Sequence, residues 1–112
     1  MARGVLSRAV IALLLCSATA AQADPDLELK VNRVWATSYG SGKALVTLRN
    51  HTAQTFDAEV KCVYLLRDEP VFIGIGLTEN LRPGEADTFE ILSNENGKFD
   101  NAKCEVEKTW PH

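Results

Sequence analysis

Histidine and methionine are nearly absent from this chain of 112 residues, which contains two His and a single Met, the initiator. Copper-delivery sites are built from clusters of Met and His, and general acid–base catalysis most often uses His. No CxxC or HxxxH spacing occurs either, although a structural zinc site needs a full tetrahedral set of such ligands. The sequence therefore predicts no metal, no cofactor and no enzymatic activity.

His51 is the one histidine of the chain that is not terminal, and it follows a predicted strand, in a turn. Nucleophilic catalysis needs a Ser or Cys beside a base, with a further group that orients the base. No such set can be placed around His51. We interpret it as a solvated turn residue.

A long hydrophobic run is also missing. The apolar run that begins at Ala9 has only eight residues, whereas a membrane-spanning helix needs about 20. The run follows Arg3 and Arg8, and this order of charged and apolar regions is typical of an export signal. No stable membrane insertion is expected once that signal is removed.

The cleavage site is predicted from the small residues that follow the apolar run. Ala21 and Ala23 flank Gln22 in the small-x-small pattern that signal peptidase accepts. We predict a signal peptide over residues 1–23 and a mature domain over residues 24–112 that begins at Asp24. The expected location is periplasmic or secreted, in a bacterial cell envelope.

The predicted mature domain is acidic. All fifteen Asp and Glu lie after residue 23, and removal of Arg3 and Arg8 leaves ten Lys and Arg, so the net charge is −5. Nucleic-acid affinity depends mainly on Lys and Arg that neutralise phosphates, and here these residues are scattered singly among carboxylates. The composition argues against nucleic acid as a partner and favours another exported or envelope protein.

Cysteine is scarce, and its use agrees with export. Cys16 leaves with the signal, so the mature chain keeps Cys62 and Cys104. Disulfides persist in oxidising compartments, and we predict that these two cysteines form one. Such a bridge would contribute about 4 kcal/mol in the chain-entropy model.

Hydrophobic periodicity in the mature chain is that of strands, and no window has a convincing helical period. Apolar residues alternate with polar ones most clearly in the third predicted strand; they are Phe56, Ala58, Val60, Cys62, Tyr64 and Leu66. Alternation of this kind predicts a half-buried antiparallel strand. Six or seven such strands, with turn signals about every ten residues, predict an all-β, immunoglobulin-like antiparallel β-sandwich.

Smaller irregularities in the pattern predict turns and a bulge. Val34 and Trp35 break the alternation in the first strand, as a β-bulge or a strand end would. Pro83 and Gly84 occupy the central positions of a predicted type II turn. Residues 68–70 are expected to separate the third and fourth strands.

Both cysteines occupy the alternating positions of their strands that also hold apolar residues. Cys62 and Cys104 are therefore predicted to face inward.

Several segments carry a resemblance to a known family. Residues 44–50 form a strand that ends in Asn50, and residues 80–85 lead into Phe89. This layout resembles the FxLYD-type domains, small immunoglobulin-like sandwiches of bacterial exported proteins, over roughly residues 27–107. Where that family has Leu-Tyr-Asp, this chain has Leu-Leu-Arg at residues 65–67. The resemblance implies the fold and the envelope setting, and it offers no catalytic residues to transfer.

Two features are candidates for binding. Residues 71–77 are uncharged and apolar, and they include Phe72, Ile73 and Ile75. We expect a strand buried on both faces; the alternative is a sheet edge that accepts a strand from a partner. Trp35 is the second candidate, because Trp is enriched at binding hot spots, although it is expected to close one end of the core. Trp110 is expected in a short terminal tail.

Taken together, the sequence predicts an exported, non-catalytic binding module of undefined specificity. One alternative is an acidic inhibitor of a basic secreted hydrolase such as a lysozyme, which size, disulfide and charge permit. A small cell-envelope enzyme is the other alternative, and it lacks a recognisable catalytic constellation.

Overall fold

The structure, a computed structural model, describes residues 26–111. About three quarters of them lie in six strands, which are β1 (Leu27–Ala36), β2 (Ser41–Asn50), β3 (Phe56–Leu66), β4 (Glu69–Leu81), β5 (Ala86–Asn96) and β6 (Asn101–Pro111). The predicted signal peptide and its cleavage residues Ala21, Ala23 and Asp24 lie outside the described residues. Within residues 26–111, no helix has the length and apolar character that a membrane crossing requires.

The strands form two antiparallel sheets of three strands each, with the orders β1-β2-β5 and β4-β3-β6. β2 and β3 are the central strands. β2 forms a hairpin with β1, which precedes it, and β3 forms a hairpin with β4, which follows it. After β4 the chain crosses to the first sheet, where it adds β5, and then returns to the second sheet, where it adds β6. This arrangement confirms the predicted all-β sandwich, with six strands.

The core is made by side chains that point inward from the two central strands and from their neighbours. Alternation in β3 is confirmed up to Tyr64, since every second residue from Phe56 onward is buried. A register shift after Tyr64 then gives the next buried position to Leu65, where Leu66 was expected. The main cluster contains Ala44, Val46, Leu48, Phe56, Ala58, Val60, Cys62, Tyr64, Leu81, Ile91 and Ala102.

Tyr64 joins the two sheets through both its ring and its hydroxyl. The hydroxyl donates a hydrogen bond to the carbonyl oxygen of Ile91 at 2.5 Å, and the ring packs edge-on against Phe99 with centroids 5.3 Å apart. Burial raises the pKa of Tyr64 to about 12. The ring occupies the space above Gly42, where any larger side chain would collide with it.

The cysteine prediction is supported by the register of the second sheet. Cys62 and Cys104 are direct partners across β3 and β6, their Cα atoms are 4.0 Å apart, and their sulfur atoms lie at a disulfide distance of 2.01 Å. Cys62 is fully buried, and Cys104 packs against the core. The bridge thus ties an edge strand to the centre of its own sheet.

Asn50 is a buried polar residue whose side chain is fully hydrogen-bonded. Its Nδ2 donates to the carbonyl oxygens of Gln54 at 2.7 Å and Leu81 at 2.9 Å. Its Oδ1 accepts from the amide of Thr52 at 2.8 Å and from the Thr52 hydroxyl at 2.6 Å. Residues 50–52, Asn-His-Thr, match the sequence of a glycosylation acceptor. In the folded domain the Asn50 side-chain amide is hydrogen-bonded at both its nitrogen and its oxygen, and it holds the end of β2 to the end of β4.

The predicted turn and bulge positions can be compared with the backbone. Gly84 has φ +79°, and the amide of Glu85 donates to the carbonyl of Arg82 at 2.9 Å, as a type II turn requires. The break in the alternation of β1 is a bulge and not a strand end, because the register shifts between Val31 and Arg33 and pairing then continues to Ala36. The bulge comes slightly earlier than predicted. The turn between β3 and β4 is one residue earlier than predicted, because Arg67 and Asp68 adopt the positive φ values of a tight hairpin.

Trp110 was expected in a tail, and that prediction is wrong. The residue belongs to β6, where it pairs with Asp57 of β3. Continued backbone pairing with the central strand extends β6 to Pro111, whereas the side-chain pattern near the terminus carries little strand signal.

We predict that Asn50→Ala lowers the free energy of unfolding by about 2 to 3 kcal/mol, because it removes the partner of the buried Leu81 carbonyl and of part-buried backbone groups of Thr52 and Gln54. Urea unfolding followed by fluorescence measures this change. Asn32→Ala is the matched control, since the exposed Asn32 makes one hydrogen bond, to the Thr47 hydroxyl, and should change stability by less than about 0.5 kcal/mol. Equal effects of the two substitutions would contradict the role given to Asn50.

We predict that the double variant Cys62→Ala, Cys104→Ala loses about 4 kcal/mol of stability, because the bridge closes a loop between residues 42 positions apart. The comparison is made by denaturant unfolding of the oxidised protein and the variant. An unchanged midpoint would show that the unfolded chain is not restricted by this bridge.

Candidate functional site

The four predicted binding residues lie on two different sheets. Phe72, Ile73 and Ile75 are on β4, in the sheet β4-β3-β6, and Trp35 is on β1, in the other sheet. The structure therefore brings three of the four together and leaves Trp35 apart. The candidate site is built on β4.

The prediction that residues 71–77 are buried on both faces is wrong. β4 is an edge strand, and its one paired neighbour within residues 26–111 is β3. Ile75 and Leu77 are 53% and 59% exposed, and Val71 and Ile73 are exposed beside them. We call these four residues the β4 stripe. Phe72 points the other way and packs against the core.

The inner side of β4 is closed by β5, and two glycines permit this contact. A Cβ atom on Gly74 would collide with the backbone carbonyl of Leu92, and one on Gly76 would collide with Ile91 and Phe89. The absence of side chains at these positions lets β5 approach the β4 backbone directly. Only the outer face and the open edge of β4 therefore remain available to a partner.

The open edge of β4 presents backbone hydrogen-bonding groups. The amide of Ile73 donates to the side-chain Oδ1 of Asn94 at 3.2 Å and so points away from β3. β3 and β4 keep one register from Phe72 to Thr78. Because alternate residues of a strand direct their amides the same way, Ile75 and Leu77 also turn theirs toward the edge. In residues 26–111 no strand pairs with this edge.

The other three edge strands carry features that discourage pairing with another chain, such as charged side chains, bulges and proline. β1 has the bulge after Val31. All three strands contain charged residues at several positions. They include Lys30 and Arg33 on β1, Asp87, Glu90 and Glu95 on β5, and Lys103, Glu105, Glu107 and Lys108 on β6. β4 differs from them between Phe72 and Thr78, where it has no charged residue, no proline and no register shift. Its own proline and register shifts lie at the two ends of this stretch.

A shallow depression of about 200 Å³ lies at the start of β4, and it is lined by Pro70, Val71, Phe72, Ile73 and Asn94. Pockets that hold drug-sized ligands usually measure about 300 to 1,000 Å³. The depression is smaller than that and mostly apolar. Its size suits one apolar side chain of a bound polypeptide better than a free small molecule.

Trp35 does not close the core, contrary to its prediction. It pairs with Lys43 on the outer face of the first sheet, and the guanidinium of Arg33 lies 4.4 Å from the centre of its ring. The Lys43 ammonium is 5.8 Å from the same ring and 3.0 Å from Glu90 Oε1. The bulge in β1 explains this, because it shifts by one residue which side chains face inward. A cation already covers the ring face.

His51 lies in an exposed position after β2, as predicted. Its Nε2 is 2.8 Å from Glu28 Oε1 on β1, and the hydrogen bond from His51 lowers the pKa of the Glu28 carboxyl. The contact joins β1 to the loop that follows β2. Within the described residues, no three His, Cys, Asp or Glu side chains are grouped as they would be to hold a metal ion.

Sequence reasoning missed part of the site. Val71 and Leu77 belong to the β4 stripe, and period-two spacing with Ile73 and Ile75 would have found them if one face had been taken as exposed. Asn94 carries no such signal, since its role depends on where β5 lies beneath β4.

Comparison with known proteins adds no relative: no family model, no curated protein and no solved structure matches this chain.

Proposed function

We propose that this protein is an exported, non-catalytic module that binds another exported or cell-envelope protein by accepting an extended segment at the edge of β4. The observation that carries the proposal is the uncharged stretch from Pro70 to Thr78 on an unpaired edge. An exposed, flat, apolar edge is an aggregation hazard. A binding partner that pairs with this edge would cover its apolar side chains and its unpaired backbone groups, and would so remove the hazard.

Strand addition supplies both affinity and selectivity. Main-chain hydrogen bonds to the open edge, at Ile75 and Leu77, would give affinity, and contacts with alternate side chains would give selectivity. The β4 stripe would then continue onto the added strand, as cross-strand apolar pairs do within a sheet. Gly74 and Gly76 support this arrangement because β5 holds the strand from beneath.

The proposed compartment is the periplasm or the extracellular medium. A small β domain with Cys62 and Cys104 at disulfide distance is compatible with an extracellular location, because oxidising conditions let such a bond persist. The export signal predicted over residues 1–23 supports the same location.

We further propose that the sandwich is immunoglobulin-like and related to the FxLYD-type domains. In support, β1, β2 and β5 share one sheet and β3 and β6 share the other, as strands A, B, E and C, F do in immunoglobulin domains. β4 then takes the place of strand C′ of the variable type. The bridge departs from that pattern, because it links neighbours in one sheet.

The edge proposal is tested with a short capped peptide of alternating valine and threonine, whose binding is followed by fluorescence anisotropy. We expect Ile75→Lys to weaken binding by at least about tenfold, because a charge on an edge strand opposes strand addition. Leu92→Lys is the matched control: Leu92 is 51% exposed, close to the 53% of Ile75, and lies on the outer face of the other sheet. The affinity of the Leu92→Lys variant for the peptide should equal that of the unsubstituted protein.

A second peptide with N-methylated amides along its pairing edge should fail to bind, since it lacks the donors that a strand ladder needs. Equal affinities for the two peptides, or equal effects of the two lysine variants, would refute strand addition at β4.

The compartment is tested by mass spectrometry of the protein recovered from the periplasm or the medium. We expect a chain that begins at Asp24 and whose mass is lower than that of the reduced chain by two hydrogens. A chain that keeps residues 1–23, or that has free thiols at Cys62 and Cys104, would contradict the proposed export.

A further inference from the structure

The charges at the two ends of the β4 edge differ. At its C-terminal end, Glu79 is exposed and lies on the same face as Leu77. Asp57 and Glu59 lie on β3 beside this end, and Asp57 accepts the amide of Asn80 at 2.9 Å. Glu79 makes no ion pair with any described residue.

The carboxylates on β3 are less available than Glu79. Glu59 is paired in register with Lys108 of β6, and Lys61 beside Ile75 is paired in the same way with Glu105. These β3 charges therefore have a neighbour of opposite sign on β6. Glu79 lies on the edge strand itself, next to the regular stretch that ends at Thr78 and just before the irregularity at Asn80, which has φ +55°. A partner strand that pairs along the regular stretch would therefore reach Glu79 at its end.

The N-terminal end of the edge carries mixed charge and an apolar depression. Arg67, Asp68 and Glu69 follow one another at the hairpin turn, so this end has no strong preference for one sign. The depression between Pro70 and Asn94 lies here. One end of the edge thus favours a cation and the other end an apolar side chain.

Resting on the proposed function, we infer that the segment bound at β4 is an apolar strand that carries a Lys or Arg opposite Glu79 and an apolar anchor residue in the depression near Ile73. Ile73 and Glu79 are six positions apart, about 20 Å along an extended strand. The two recognition residues of the partner are therefore separated by about six residues.

The direction of the bound segment follows from the sheet. All pairings in β4-β3-β6 are antiparallel, and antiparallel ladders are slightly more stable per residue than parallel ones. A segment added antiparallel to β4 runs from Glu79 toward Ile73. Its basic residue therefore precedes its apolar anchor in sequence.

A second copy of this chain fits the edge less well. Antiparallel pairing of two β4 strands about a two-fold axis at Ile75 would place Glu79 of each copy opposite Val71 of the other. Glu69 is exposed and lies two residues before Val71, so a carboxylate would lie near Glu79 at both ends of the pair. Like charges in this position are destabilising.

The test uses three capped peptides of alternating valine and threonine, with an isoleucine anchor, in fluorescence anisotropy at low ionic strength. The first has lysine about six residues before the anchor, the second has glutamate in that position, and the third has lysine the same distance after the anchor. We expect the first to bind about twofold to fivefold more tightly than the other two, the range for one exposed ion pair.

The variant Glu79→Gln and added salt provide the charge control. Both should remove the advantage of the first peptide and leave the affinity of the glutamate peptide nearly unchanged or improved, because exposed charges are screened within about 10 Å at 0.1 M salt. Glu107→Gln, which removes a carboxylate from the edge of β6, should leave the advantage in place.

The outcomes separate this inference from the function on which it rests. Equal binding of all three peptides would overturn the charge inference and leave strand addition standing, and tighter binding of the third would overturn the direction. Binding of none would overturn both proposals. Sedimentation of the protein alone gives the last outcome: a dimer that Ile75→Lys dissociates would identify a second copy as the occupant and overturn the inference.

Discussion

Pairing of β3 with strands on both of its sides is the constraint on which the rest of the structure depends. Among the described strands of its sheet, β3 is the one with two neighbours, and its inward side chains from Phe56 to Tyr64 are all buried. Cys62 ties it to β6, and Tyr64 reaches across to the carbonyl of Ile91 in the other sheet. A small domain buries a modest fraction of its surface, so these links carry much of its cohesion.

This arrangement explains why β4 can be both apolar and exposed. A three-stranded sheet centred on β3 necessarily has β4 and β6 at its edges. The bridge to Cys104 secures β6, whereas β4 is secured by its hairpin with β3 and by the close approach of β5 to Gly74 and Gly76. The outward side chains of β4 therefore lie outside the core cluster, and under the proposed function they contact the bound segment.

The electrostatics of the edge fit this division of roles. The uncharged stretch of β4 lies between charged ends, and a net charge far from zero opposes self-association in general. Under the proposed function, residues 24–112 would carry a net charge of −5, which favours a basic partner over a second copy of the chain. Selectivity would then depend on Glu79 and on the depression beside Asn94, with the backbone of β4 supplying affinity.

The sequence by itself determined the fold class, the inward face of β3, the pairing of Cys62 with Cys104 and the turn at Gly84, because period-two alternation and turn chemistry are local properties of the chain. The tertiary structure alone decided which strands became edges. An uninterrupted apolar run such as residues 71–77 has the same pattern whether it is buried or exposed, and the bulge in β1 placed Trp35 outside the core. Exposure of Ile75, and the approach of Asn94 to Ile73, depend on strand order, which no local pattern encodes.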